Sequence, residues 1–420
     1  MFPHDFSTRL AADDELRELG LNTDVAFALA VREGESHTVS VRNGTVALDQ
    51  AGPGDAAFAV VLDQGDWTRL LAPSPAPRTQ HVLAFLAPRG TGAVEGDLAS
   101  FAQHLHLVRR AVELARGIAE QESPRRVPLE DITGRYVHVD VPGWGPCDIY
   151  AETAGQGIPV LLLATAGSDT RQYHGLMSDP DVTSRYRLIA FDLPWHGKSN
   201  PPAGKRNTDY VLDSQTYTDC IAGVIRALDL PQAPVIVGAS MAGAVVVEMV
   251  ARHPDLVRGA VSSQAGPRVA NRHTPWLRNP QVNQALHVPE WTYGLMSPAS
   301  PKEDRDRVWW GYSQGGFSVY ERDISYYSTC WDIDNIAHLL GSHTPPVVLM
   351  NGVYDYSVPP EATRELAGHI PGSVVREMPE LGHFPHAENP SAFAAHLLWA
   401  LAHIQNRTTA QPTETSEAIR

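Results

Sequence analysis

The stretch Pro234-Val235-Ile236-Val237-Gly238-Ala239-Ser240-Met241-Ala242-Gly243 joins a continuous apolar run to a serine set among small residues. A run without polar alternation suits a strand covered on both faces. A helical pattern follows at once, over Met241–His253. A serine at such a strand-to-helix turn is forced into an exposed, strained conformation, with its hydroxyl above the sheet. Its neighbours must be small because strand and helix backbones pass close by. The usual spacing is Gly-x-Ser-x-Gly. Here Ala242 holds the second small position and adds one methyl. The plainer alternative is a serine that only caps the helix.

A hydroxyl becomes nucleophilic when a base takes its proton. With this turn the chain order is serine, acid, histidine, so the base is sought near the end of the chain. Leu381-Gly382-His383-Phe384-Pro385-His386 follows the apolar segment VVREMP on a loop. His383 is the candidate base; His386, nearer the next helix, is its competitor. The two could also be metal ligands, but no third ligand stands nearby in sequence, and none is expected. The acid is expected at the end of the preceding strand, PVVLMNG, where Asp355 is the only carboxylate before Glu361. An aspartate there can hold the imidazole tautomer and stabilise the imidazolium. The competing role is a turn-former or cap ahead of the helix at Pro360. The segment ending Ser262-Ser263-Gln264-Ala265-Gly266 carries no acid.

Outward from these loops, strands are read at YVHVDV, CDIYAETA, PVLLLAT, YRLIAFDL, PVIVGAS, VRGAVSSQ, PVVLMNG and VVREMP. Helices are read near Tyr210–Leu228, Met241–His253, Pro360–His369 and Pro390–Ile404. Alternation of this kind predicts a mostly parallel eight-stranded sheet of the α/β class. About eighty residues separate VRGAVSSQ from PVVLMNG, too many for one crossover helix. An inserted cap is therefore expected over about 267–344.

The segments 191–199 (FDLPWHGKS), 237–243 (VGASMAG) and 382–390 (GHFPHAENP) resemble the α/β-hydrolase superfamily over about Tyr136 to Ile404. The resemblance implies the α/β-hydrolase fold and a triad of Ser240, Asp355 and His383. It also implies an oxyanion hole formed by backbone amides, placed here at Ala166 and Met241. Relatives often have His-Gly in the first of these loops, where this chain has Ala164-Thr165-Ala166-Gly167, so the loop's geometry is left open. Two activities are implied. One is hydrolysis of carboxylic esters, thioesters and lactones included. The other is cleavage of a carbon–carbon bond in a diketone-like substrate. A third alternative is a lipid-binding or scaffold protein whose hydrolase half is inactive, against which the intact triad argues. Dehalogenase and epoxide hydrolase relatives carry aspartate where Ser240 stands, and are disfavoured.

The expected cap is rich in rings: Trp276, Trp291, Tyr293, Trp309, Trp310, Tyr312, Phe317, Tyr320, Tyr326, Tyr327 and Trp331. Many must simply pack the cap itself. An apolar or aromatic small-molecule substrate is nevertheless expected, with Trp195, Trp309, Trp310, Tyr312 and Tyr327 as candidate substrate-binding residues. Tyr312–Gly316 reads as a joint, because adjacent glycines reorient at little cost. No dinucleotide signature or phosphate-binding glycine loop is found at a suitable strand end, so no organic cofactor is implied.

Residues 1–120 read as a separate α+β domain. Alternating strands flank Asn43-Gly44, a strong hairpin signal. AAFAVVLD follows as a strand, and DWTRLLA as a short helix. In LASFAQHLHLVRRAVELARG, Leu98, Phe101, Leu105, Val108 and Val112 recur at helical spacing and predict one buried face. The order of VSVRNGTVAL, AAFAVVLDQGDWTRLL and AVEGDLASFAQHL resembles the sterol carrier protein type two-like domain. That resemblance implies an apolar tunnel for lipids or acyl chains; the alternative is a packed module for dimerisation or stability. The polar stretch 121–131 is read as a linker, and 407–420 as a disordered tail.

Thirty-three basic against 48 acidic residues give a formal charge of −15. Such a surface disfavours nucleic acid and anionic membranes as partners. No apolar run is long enough to span a bilayer. The N-terminus has neither the basic start nor the apolar core of a signal peptide, so a cytoplasmic location is expected. Cys147, Cys220 and Cys330 are too few and too widely spaced for a disulfide framework or zinc cluster. Whether the chain forms a homodimer is left open.

Overall fold

A computed structural model describes residues 2–49, 56–87, 90–117, 127–269, 272–316 and 318–410. Phe317, most of the expected linker and residues 411–420 lie outside the described residues. The chain divides into two compact units. The first contains Met1–Pro124 and Thr274–Gln314; the second contains Arg125–His273 and Gly315–Arg420. The division therefore cuts through the segment expected as one cap, at the Gln314-Gly315 step within the expected joint.

In the first unit, strands β1 (Asp24–Val31), β2 (Ser36–Arg42), β3 (Thr45–Asp49), β4 (Phe58–Leu62) and β5 (Ala93–Gly96) form a sheet in the order β3-β2-β1-β4-β5. The β2–β3 hairpin turns at Asn43 and Gly44, at φ 47° and 80°. Two successive left-handed residues give the turn whose twist matches the flanking strands. The last helical stretch is broken in two, Leu98–Gln103 and Leu105–Arg116. His104 lies at the break, where its ring Nδ1 bonds the Ser100 carbonyl at 2.8 Å. Phe101, Leu105, Val108 and Val112 are buried as expected, but Leu98 is 46% exposed.

The same helix buries Arg109, Arg110 and Arg116, which its periodicity did not announce. Arg109 Nε pairs with Glu290 at 2.7 Å, and its Nη1 with Glu113 at 2.8 Å. Arg110 pairs with Asp13 at 2.6 Å. Glu290 belongs to the helix Gln284–Tyr293, so this ionic cluster fastens 274–314 to the N-terminal segment. Asn283 N donates to Gln103 Oε1 at 2.6 Å, and His287 Nδ1 bonds the Ala102 carbonyl at 3.0 Å. Buried charges survive only when paired and hydrogen-bonded, so these contacts act as one network. A cavity of about 20 Å³ lies among Gln80, His81, Arg109, Arg116, Tyr293 and Arg305. It has room for about one water.

In the second unit, β6 (Thr133–Val141), β7 (Gly145–Ala154), β8 (Ile158–Leu163), β9 (Tyr186–Phe191), β10 (Val235–Ala239), β11 (Gly259–Ser263), β12 (Val347–Gly352) and β13 (Val374–Met378) form the eight-stranded sheet. Its order is β13-β12-β11-β10-β8-β9-β7-β6. β7 runs antiparallel to both neighbours, and all other pairs are parallel. This is the mostly parallel α/β-hydrolase sheet expected. Val160, Leu162, Leu188, Val237, Val261 and Val348 share a core with Leu397, Leu401 and Ile404 of the final helix. That helix runs from Pro390 to Ala410, so 407–410 are helical rather than tail. The helix expected from Tyr210 begins at Ser214, because the Asp213 side chain accepts the Thr216 amide and fixes the N-terminus. Among the described residues no helix is long and apolar enough to cross a membrane.

Candidate active site

The carboxyl ends of β10, β12 and β13 lie at one edge of the sheet because these strands are parallel. Ligands of such sheets bind beyond that edge. Ser240 follows β10 directly, Asp355 follows β12 by three residues, and His383 follows β13 by five.

Ser240 sits at φ 59°, ψ −123°, with its amide donating to the Ser263 carbonyl at 2.9 Å. A side-chain-bearing residue rarely adopts this conformation, and holding one there costs of order 1–3 kcal/mol. The close approach behind the turn is measurable. A Cβ at Gly238 would lie 2.4 Å from the Ala242 carbonyl oxygen, and one at Gly243 would lie 2.3 Å from that of Ser263. Glycine is thus demanded at 238 and 243, while the Ala242 methyl fits because Gly238 opposite it has no side chain.

His383 Nδ1 lies 2.5 Å from Asp355 Oδ2, and both side chains are fully buried. Asp355 Oδ1 accepts the amides of Ser357 and Val358 at 2.8 and 3.0 Å. The carboxyl group is therefore held in place against Nδ1, and an Nδ1–H donated to it leaves Nε2 as the ring's free acceptor. His383 Nε2 is buried without a hydrogen-bond partner among the described residues. Burial lowers the His383 pKa from its ordinary value; Asp355 opposes that shift and Arg272 adds to it. The Ser240 hydroxyl interacts with that of Tyr327 rather than with His383. Catalytic hydrogen bonds commonly tighten only when substrate binds.

His386 is occupied elsewhere. Its ring stacks on Tyr173 with centroids 4.6 Å apart, and burial holds its pKa down to about 3. Among the described residues no three His, Cys, Asp or Glu side chains are grouped to hold a metal ion.

Two residues that sequence reasoning did not single out hold the His383 loop in place. Glu388 accepts the amides of Gly382 at 2.6 Å and Phe384 at 3.2 Å, one on each side of His383. Gln264 accepts the Gly352 amide at 3.0 Å and donates to the Gly382 carbonyl. It thereby ties together the loops after β11, β12 and β13. The segment 382–390 contains Glu388, but only the folded loop shows its carboxylate reaching back.

Ala166 and Met241 are buried, and neither amide is engaged by another described residue. The Ala166 loop is held from the helix Val319–Thr329. Asp323 Oδ2 accepts the Gly167 amide at 2.7 Å and bonds His196 Nε2 at 2.8 Å, while its Oδ1 accepts from the Tyr210 hydroxyl at 2.5 Å. A Cβ at Gly167 would strike Tyr320. Burial opposes the charged form of His196, but Asp323 outweighs it and raises the His196 pKa.

The candidate substrate-binding residues separate. Tyr327 is fully buried, and its hydroxyl donates to the Gln264 carbonyl at 3.2 Å beside Ser240. Trp195, at φ 69°, packs against Trp144 and Tyr210 and donates to the Arg206 carbonyl, a structural role. Trp309, Trp310 and Tyr312 belong to the first unit. There Trp309 donates to Glu290 at 2.7 Å, Trp310 is 51% exposed and Tyr312 is buried.

Residues 160–396, more than half of the chain, match the model of the alpha/beta hydrolase family. A non-heme bromoperoxidase-like protein (BpoC) of Mycobacterium tuberculosis is 25% identical over 60% of this chain and 96% of its own length. The pimeloyl-[acyl-carrier protein] methyl ester esterase of Neisseria meningitidis is 26% identical over 56% of this chain and 90% of its own. Among solved structures, the bromoperoxidase of Bacillus anthracis superposes with a TM-score of 0.54 at 20% identity, covering 64% of this chain and all of that one.

Proposed function

The chain belongs to the alpha/beta hydrolase family, and from that premise we propose that it hydrolyses carboxylic esters, thioesters and lactones included, through an acyl-enzyme on Ser240. The observation that carries the reading is the His383–Asp355 pair behind a serine held at φ 59°. A capping serine needs neither that conformation nor a histidine fixed in one tautomer. The resemblance to a methyl ester esterase supports the same reaction class.

In the proposed reaction, His383 Nε2 takes the Ser240 proton as Oγ attacks the acyl carbon. The amides of Ala166 and Met241 hold the oxyanion, an interaction worth roughly 3–4 kcal/mol per donor. The imidazolium, stabilised by Asp355, protonates the leaving alcohol. Water activated by His383 then releases the acid and restores Ser240. The test is a panel of p-nitrophenyl esters of graded chain length, run beside an aromatic ring-cleavage diketone. Ester turnover with a burst of p-nitrophenol supports the acyl-enzyme. Turnover of the diketone alone would replace this reading by carbon–carbon cleavage.

A further inference from the structure

Arg272 is 8% exposed, and its hydrogen-bond partners among the described residues are hydroxyls rather than carboxylates. Its Nη1 donates to the Ser357 hydroxyl, in the loop where the Ser357 amide holds Asp355. It also hydrogen-bonds Tyr320, the ring that covers Gly167 of the Ala166 loop. The guanidinium therefore joins the acid loop to the oxyanion loop, the two loops that flank the nucleophile's reaction space. Its Nε is buried without a hydrogen-bond partner among the described residues.

A buried guanidinium is costly unless paired, and buried donors are nearly always satisfied. Here the fixed partners are neutral hydroxyls. Asp355, whose carboxylate acts on the group through space, is already engaged by His383 and two amides. The missing partner is an anionic oxygen. The planar fork of donors favours a carboxylate over a point acceptor.

We propose that Arg272 receives a carboxylate of the substrate, so that the molecule presented to Ser240 is an ester bearing a free acid group on its acyl side. This rests on the ester-hydrolase reading above and narrows its substrate class.

The test compares monomethyl succinate, glutarate and adipate with neutral methyl esters of matching chain length, by pH-stat. For the best half-ester the wild-type kcat/KM should exceed that of its neutral counterpart at least tenfold. In Arg272→Met that ratio should collapse toward one, and Arg272→Lys should restore part of it. A wild-type ratio near one, or a ratio unchanged in Arg272→Met, overturns the proposal and leaves Arg272 as a support of the Asp355 loop. Should Arg272→Met fail to fold, wild-type inhibition decides. Competition by glutarate but not glutaramide supports the site, and equal or absent inhibition by both overturns it. Labelling of Ser240 by a fluorophosphonate separates the two readings. Labelling with no carboxylate preference sinks only the Arg272 assignment, whereas no labelling sinks the serine hydrolase reading beneath it.

Discussion

The aromatic cap expected over about 267–344 divides at Gln314-Gly315, and its stretches 274–314 and 315–344 have opposite allegiances. The first is held by Arg109 on Glu290, Gln103 on Asn283 and Trp309 on Glu290, all within the N-terminal unit. The second sends Tyr320 and Asp323 to the Ala166 loop and Tyr327 to Ser240. Ring content does not distinguish them. Buried charge does: Glu290 answers Arg109 of the helix Leu105–Arg116, and Asp323 answers the backbone amide of Gly167. Aromatic side chains pack against whatever apolar surface is offered, whereas a buried carboxylate must find a particular donor.

If that contrast is right, activity and stability should come apart between the two stretches. Ser240→Ala sets the scale for activity. It should lower kcat by on the order of 10⁴–10⁶ with an unchanged melting temperature. His383→Ala should match it, the double variant should be little worse, and His386→Ala should be milder. A more severe His386→Ala would move the base.

Arg109→Met sets the scale for stability. Removing one partner of a buried pair costs about 3–5 kcal/mol, because Glu290 is left buried without its cation while Glu113 keeps Arg110. Urea unfolding should show that loss, with kcat of the folded fraction retained. A loss of kcat larger than the loss of folded protein would join the two stretches functionally. The same network implies that deleting residues 1–120 strips 274–314 of its partners and destabilises the chain. A long-chain-specific rise in KM, as a lipid carrier requires, is thus better sought with Arg109→Met than with the deletion.

Asp323→Ala, in the second stretch, should lower kcat about 10²-fold, the usual cost of a misplaced oxyanion donor, with KM less affected. Rescue by Asp323→Asn should be poor, because the amide cannot accept from Gly167, His196 and Tyr210 together. An unchanged kcat would reduce Asp323 to a packing residue.

The smallest effects concern pH. His383 must be neutral to act, and its pKa is lowered, so the acid limb of kcat/KM should fall below the ordinary histidine value of about 6.5. Stability has the same sign. Burial holds His81 and His386 down to about 3 and His106 to about 4. Each contribution is fully present above the unfolded value of about 6.5 and is lost as pH falls toward those folded values. Calorimetry at pH 7 and 5 should show lower melting at pH 5. A melting temperature that rises on acidification would contradict the buried neutral state of these rings.

The sequence alone determined the eight strands, the serine at the strand-to-helix turn and the loops that carry His383 and Asp355. These follow from local patterning: apolar runs of strand length, small residues at a close approach, and chain order after successive strand ends. It also located the hairpin at Asn43-Gly44, since positive φ at two neighbouring positions is a local property. What only the tertiary structure decided were pairings between residues far apart in the chain. Glu388 reaching the amides beside His383, Gln264 tying three loops, Asp323 on Gly167 and Arg272 between Ser357 and Tyr320 have no periodic signature. The division of the expected cap was hidden for the same reason. A charged residue in a helix reads as solvent-facing until the fold supplies its counter-charge, and Arg109 is separated from Glu290 by 181 positions. Local pattern fixes which elements form; the buried charges, whose cost is paid only by distant partners, fix which elements belong together.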